Sequence, residues 1–231
     1  MHVKGWVRSS LIDYPEHIAA VLFTGGCNFR CPMCHNGNLV LTPGDLPDIP
    51  QERIFRLLGH RIGLLDGVVI SGGEPMLQSD LADFIRKLRS LGLHVKLDTN
   101  GYSPDGLAEL LKQGLIDYVA MDVKAPPAKY PLLTGRTKID VSRIERSVDL
   151  LLDGQCAYEF RTTVVPGLLN TADIDTIGRW IKGGRKYVLQ QFRSLHTLDP
   201  DLHMVKPYPV QVLREMTDCA RAWVDDVSVR E

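Results

Sequence analysis

Short apolar runs alternate along this chain with stretches in which apolar and polar residues recur at helical spacing. The runs at 18–24, 67–71, 93–98, 117–123, 157–165 and 186–192 are rich in Val, Ile, Leu, Phe and Tyr and read as strands. Between them, Leu81, Phe84, Ile85 and Leu88 recur on one helical face, as do Ile144, Val148, Leu151 and Leu152. Asp140 and Gly154 supply start and stop signals for the second of these helices. Further helices are predicted near 172–182 and, after Pro207 and Pro209, near 208–225. Residues 1–16 read as an extended flap or hairpin ahead of the first strand.

Strand and helix in regular alternation predict an α/β fold with a parallel sheet. Six βα units with right-handed crossovers point to a partial (β/α)6 barrel, open and TIM-like, with a doubly wound sheet as the alternative. We expect one domain over 1–231, with an extension at 1–16, a core at 17–192 and a C-terminal loop and helix at 193–231. Either architecture places ligands at the carboxyl ends of the strands, where the polar and Gly-rich residues of this chain collect.

Composition narrows the function classes. The formal net charge is −1 over 231 residues, which gives no footprint for nucleic acid or for a membrane surface. No apolar stretch reaches the roughly 20 residues of a spanning helix, and no signal-peptide pattern opens the chain, so a cytoplasmic protein is expected. Five cysteines, an odd number with three crowded together, do not form a secreted disulfide framework. Cys156 and Cys219 stand alone and read as buried structural thiols.

The crowded three carry the chemistry: Cys27, Cys31 and Cys34 follow the first core strand with C-x-x-x-C-x-x-C spacing, flanked by Gly25, Gly26 and Pro32. Three thiolates are one short of the four that usually hold a 4Fe–4S cluster, so such a cluster would keep one iron open for a ligand. Zinc, with His35 as a fourth ligand, is the competing reading, although no second two-ligand half lies elsewhere in the chain.

This spacing resembles the radical S-adenosylmethionine (SAM) superfamily. Ser71-Gly72-Gly73-Glu74-Pro75, after the second core strand, looks like that family's motif for the methionyl amino group. Leu97-Asp98-Thr99-Asn100-Gly101, Met121-Asp122-Val123-Lys124, Ser10-Leu11-Ile12-Asp13-Tyr14-Pro15 and Cys34-His35-Asn36 narrow the likeness to activating enzymes of glycyl-radical enzymes. Within that group the nearest likeness is the anaerobic ribonucleoside-triphosphate reductase activating type.

The resemblance implies one 4Fe–4S cluster on Cys27, Cys31 and Cys34, and SAM bound by Met33, His35, Gly72, Gly73, Glu74, Asp98, Thr99, Asn100, Asp122, Lys124 and Gln191. It further implies a catalytic role for Lys124 and a monovalent cation beside Asp98, Thr99 and Asp122. Arg161 would face the bound peptide; read by itself it is equally a salt-bridge partner of Glu159 or Asp122. The partners implied are a glycyl-radical enzyme as protein substrate and a flavodoxin or ferredoxin as electron donor. Three departures stand out. Met33 occupies a position that is often aromatic, and the histidine expected near the last core strand has only His196 in its vicinity. Residues 35–70 hold no cysteine, which excludes a ferredoxin-like insertion there. A radical SAM enzyme acting on a small molecule, and a zinc-stabilised module without catalysis, are the alternatives.

Overall fold

The structure is a computed structural model that describes residues 1–230, so position 231 of the expected C-terminal segment lies outside it. Its strands are β1 (Val3–Ser10), β2 (Ala19–Thr24), β3 (Gly67–Gly72), β4 (His94–Thr99), β5 (Tyr118–Asp122), β6 (Ala157–Val164), β7 (Lys186–Gln191) and β8 (Asp226–Arg230). The helices are α1 (Gly37–Leu41), α2 (Gln51–Gly59), α3 (Leu81–Ser90), α4 (Pro104–Lys112), α5 (Tyr130–Thr134), α6 (Ser142–Leu152), α7 (Thr171–Trp180) and α8 (Val210–Ala220). The six core strands read from the sequence are β2 to β7, with ends displaced by a residue or so.

Strand order in the sheet is the order of the chain, β1 through β8. A doubly wound sheet would reverse direction at a switch point, and this order has none. The fold is α/β with the singly wound order of an open (β/α) barrel. Its six core strands carry an additional strand at each end of the order, β1 and β8.

The chain divides into two compact units: residues 1–28, 38–99 and 105–119 in the first, and the remaining stretches 29–37, 100–104 and 120 onward in the second. In the first unit residues 1–16 hold one extended strand, β1, which pairs antiparallel with the core strand β2 rather than forming a hairpin of their own. Parallel ladders then join β2 to β3, from Ala19↔Gly67 to Thr24↔Gly72, and β3 to β4. Ala19 to Leu22 and Val68 to Ile70 are almost fully buried, as befits strands covered on both faces. Helix α3 buries Leu81, Phe84, Ile85 and Leu88, the stripe read from the sequence.

In the second unit β6, β7 and β8 form parallel ladders, from Phe160↔Tyr187 and from Lys186↔Asp226. Helix α6 begins beside Asp140, whose Oδ1 accepts from the backbone N–H and hydroxyl of Ser142. Helix α7 starts with a reciprocal cap, Asn170 accepting from Asp173 N–H and Asp173 from Asn170 N–H. The stretch after α8 adds β8, a strand too short for its alternation to stand out in sequence. Cys156 and Cys219 are half-buried rather than buried. Cys156 sits in the turn leading into β6, and Cys219 lies on α8 with its Sγ 3.6 Å from Asp175 Oδ1.

Candidate active site

In the first unit the carboxyl ends of β2, β3 and β4 are stitched together. Gly73 N–H donates to Thr24 O at 2.9 Å and Glu74 N–H to Gly26 O at 2.8 Å. A Cβ on Gly73 would stand 1.9 Å from Gly26 O, so only glycine permits this approach. Gly72 adopts φ +114, and a Cβ there would lie 2.3 Å from Thr24 N. The glycine pair is thus demanded by backbone packing in the protein itself.

Glu74 is buried, 2% exposed, and its Oε1 accepts both Met76 N–H at 3.1 Å and the Thr99 hydroxyl at 2.8 Å. The carboxylate therefore caps the short turn after β3 and ties it to the end of β4. Asp98 accepts from Ser71 Oγ at 3.1 Å and from Lys96 Nζ at 2.6 Å. Lys96 is a residue the sequence reading missed. Its charge two positions before Asp98 was the available signal, because residues i and i+2 of a strand share a face. Cys27 lies in this unit, with Sγ 3.8 Å from Asn28 Oδ1.

Cys31 and Cys34 belong to the second unit, in a tight turn closed by Cys34 N–H to Cys31 O at 3.0 Å. Two backbone bonds hold that turn against the C-terminal segment: Leu198 N–H to Cys34 O and Asp199 N–H to Pro32 O, each 2.9 Å. A third, Arg30 N–H to Thr134 O at 2.8 Å, anchors its approach to the end of α5. Cys31 and Met33 are buried, while His35 is exposed and places Nε2 2.9 Å from Arg193 O.

The same unit carries the ion cluster of β5 and β6. Asp122 accepts from Arg161 Nε through Oδ1 and from Lys124 Nζ through Oδ2, both at 2.8 Å. Burial alone would raise the Asp122 carboxyl, but Arg161 and Lys124 outweigh it and hold the group far below the usual carboxylate range. For Lys124, burial works against the charge; Asp122 and the sulfurs of Cys31 and Cys34 override it, leaving the ammonium firmly protonated. The Lys124 N–H donates to Tyr130 Oη at 3.2 Å, and Tyr130 is wholly buried. Arg161 thus realises the salt bridge with Asp122 that the sequence left open beside a substrate contact.

Asn100 is buried and turns its Oδ1 to Tyr102 N–H at 3.0 Å. Gln191, at the end of β7, donates Nε2–H to Tyr208 O at 2.7 Å, while its buried Oε1 has no hydrogen-bond partner in the protein. An amide whose donor is fixed in this way presents an acceptor to a ligand donor or an ordered water.

The residues fit the group that the spacing implies. Three cysteines that form no disulfide stand at C-x-x-x-C-x-x-C spacing, and the sulfurs of two of them, Cys31 and Cys34, favour the charge of Lys124. Among the described residues no group of three or more His, Cys, Asp or Glu side chains is assembled as a metal site. His35, the fourth ligand that zinc would need, places one ring nitrogen, Nε2, at Arg193 O.

Comparison with known proteins places the chain. The radical SAM superfamily model matches residues 21–180. A provisionally named glycyl-radical enzyme activating enzyme of Methanocaldococcus jannaschii is 36% identical over 233 residues, 99% of this chain and 95% of that protein. The pyruvate formate-lyase-activating enzyme of Clostridium pasteurianum is 30% identical over 196 residues, 81% and 79% of the two chains. In fold, Streptococcus suis SuiB is similar with a TM-score of 0.68 at 14% identity, covering 91% of this chain and 48% of SuiB. The chain belongs to the radical SAM superfamily and, within it, to the glycyl-radical enzyme activating enzymes. It is accordingly a radical SAM oxidoreductase. No helix among the described residues is long and apolar enough to cross a membrane.

Proposed function

We propose that this protein places a glycyl radical on a partner enzyme, an anaerobic ribonucleoside-triphosphate reductase, in the cytoplasm. Cys27, Cys31 and Cys34 would hold a 4Fe–4S cluster, and the strand-end residues would bind SAM. When bound, these two groups supply one-electron cleavage of the sulfonium to methionine and a 5′-deoxyadenosyl radical, which removes a hydrogen atom from a glycine Cα of the partner.

The observation that carries the reading is a pair of oppositely ordered charge couples at the strand ends. In Lys96-x-Asp98 the cation lies deeper along β4 and the anion stands at the mouth. In Asp122-x-Lys124 the anion lies within β5 and the cation stands beyond its end. The strand ends of this chain thus carry both kinds of charge that an amino-acid zwitterion would need. The turn of Gly72, Gly73 and Glu74 would receive the methionyl ammonium, and Lys124 and Asp98 would lie near the SAM carboxylate.

Gly72, Gly73 and Glu74 keep the backbone of the β3 turn close to the ligand, with Thr99 and Asn100 fixing the neighbouring turn. Met33 would pack on the adenine and Gln191 Oε1 would accept from the adenine or ribose. His35 borders the same turn from its exposed side. For Arg161, resemblance alone carries the peptide contact; in the structure its Nε donates to Asp122. A monovalent cation at Asp98, Thr99 and Asp122 would compete with Lys96, Lys124 and Arg161 for the same carboxylates. The electron donor would be a flavodoxin or ferredoxin.

The test is anaerobic reconstitution followed by incubation with SAM, dithionite and the reductase. A brown protein that generates a glycine-centred doublet in electron paramagnetic resonance is the expected result. Turnover of a small substrate without the doublet would mean a small-molecule radical SAM enzyme. Colourless protein with stoichiometric zinc would mean a non-catalytic module.

A further inference from the structure

The C-terminal segment between β7 and α8 is bonded through Leu198 and Asp199 to the cysteine turn. With His35 it encloses an open cavity of about 600 Å³, lined by His35, Arg193, Ser194, Leu195, His196 and Pro207. The lining holds one guanidinium and two imidazoles and no carboxylate. Leu195 is 73% exposed at this cavity, and on the same segment Met204 is 89% exposed. Such a surface, with the fixed positive charge of Arg193, no carboxylate in the lining and protruding apolar side chains, suits an acidic protein partner.

The cavity also stands where a redox partner would have to stand. His35 follows Cys34 in the chain, and Leu198 N–H holds Cys34 O, so the cavity wall and the cysteine turn share one backbone network. The wall is preset as well: His196 adopts φ +60, a conformation held only where surrounding structure demands it, and Thr197 Oγ1 donates to Asp199 O at 2.8 Å. A preset surface loses little conformational freedom when a partner docks. Electron transfer weakens steeply with distance, so a carrier gains most by docking beside a cluster ligand.

We propose that this cavity is the docking point of the one-electron reductant, a small carrier protein with an acidic surface. The inference rests on the reading that Cys34 ligates a cluster. The carrier gives up one electron and is oxidised by one unit; that electron is consumed when the C5′–S bond of SAM breaks to a neutral thioether and a carbon radical.

The test uses the full chain, reconstituted, carrying Arg193→Glu alone and with Leu195→Glu. SAM cleavage is followed as methionine release, driven either by dithionite or by reduced flavodoxin, and the binding of oxidised flavodoxin is measured at several salt concentrations. With dithionite the variants should match the parent protein. With flavodoxin at low salt, KM and Kd should both rise about tenfold, and the parent's affinity should fall with added salt while the variants' barely changes.

Unchanged flavodoxin binding in both variants would overturn the proposal. So would an equal loss with both reductants, which indicates a damaged site. A raised KM for the glycyl-radical enzyme with flavodoxin binding intact would assign the surface to that enzyme instead. Failure of the underlying reading looks different: the parent protein itself would cleave no SAM with dithionite.

Discussion

Two strand-end charge couples, one in each unit, use the same residue types to opposite effect. Lys96 is only 2% exposed and its partner Asp98 16%, whereas Lys124 and Asp122 are 20% and 22% exposed. In the first unit the lysine is sunk in the core beneath its carboxylate, with the Tyr118 ring 5.8 Å from Nζ. In the second the lysine emerges past the strand, and a further cation, Arg161, steadies the carboxylate behind it. Reversing the order of Lys and Asp along a strand moves the lysine from a sunken position to one partly open to water, while the carboxylate changes little. The difference teaches that residue type alone does not assign a role. Position along the strand decides how far the charged group reaches water.

Substitutions should separate the two couples by size of effect. Asp98→Ala leaves the Lys96 ammonium buried without its carboxylate, and we expect a loss of about 3–5 kcal/mol of stability in denaturant unfolding. A loss below about 1 kcal/mol would show that the couple is as solvated as a surface pair. Asp122→Ala should destabilise less, by about 1–3 kcal/mol, because roughly a fifth of the Lys124 and Asp122 side chains reaches water. An effect equal to that of Asp98→Ala would erase the distinction.

The pH dependence of the second couple has a definite sign. The Asp122 carboxyl is depressed in the folded state relative to an unfolded value of about 3.9. Its contribution is therefore fully present above that value and is lost as pH falls through the folded pKa. The stability gap between the parent protein and Asp122→Asn should stay flat from about pH 5 to 8 and shrink below about pH 4. A gap that instead narrows near neutrality would mean that the carboxyl is not depressed.

Glu74→Ala removes a cap and strands the Thr99 hydroxyl, at about 1–2 kcal/mol, and should weaken SAM binding measured by calorimetry. Glu74→Gln keeps an oxygen for both donors and should cost less than about 1 kcal/mol. Equal losses in the two variants would require the negative charge itself. The smallest change in stability is expected for Cys31→Ala, under about 1 kcal/mol, since the cysteine turn is held by backbone bonds. That variant should nonetheless lose its iron on reconstitution, and a normal cubane in it would displace Cys31 from the ligand set.

Much of this was legible in the chain. The six core strands, the stripes of α3 and α6 and the cysteine spacing follow from local periodicity and composition, which are properties of neighbouring residues. Strand β8 was not legible, because Val227 and Val229 alternate over too few positions to outweigh the helix before them. Lys96 escaped notice for a different reason. A lysine inside an apolar strand reads as an interruption until the pairing partner on the same face is known. Cys156 and Cys219 show the limit for burial, since exposure depends on what packs over a residue and not on the residue itself.

By itself, then, the sequence determined the alternation of strand and helix, the parallel sheet and the three-thiol spacing, because each rests on short-range pattern. Only the tertiary structure decided that strand order runs without a switch point and that Glu74 caps a turn through Thr99. It alone showed that Arg161 serves Asp122 and that Gln191 keeps an unmatched acceptor. Those outcomes depend on which distant residues meet, and hydrogen bonds and ion pairs are satisfied only when the folded chain brings donor and acceptor within reach.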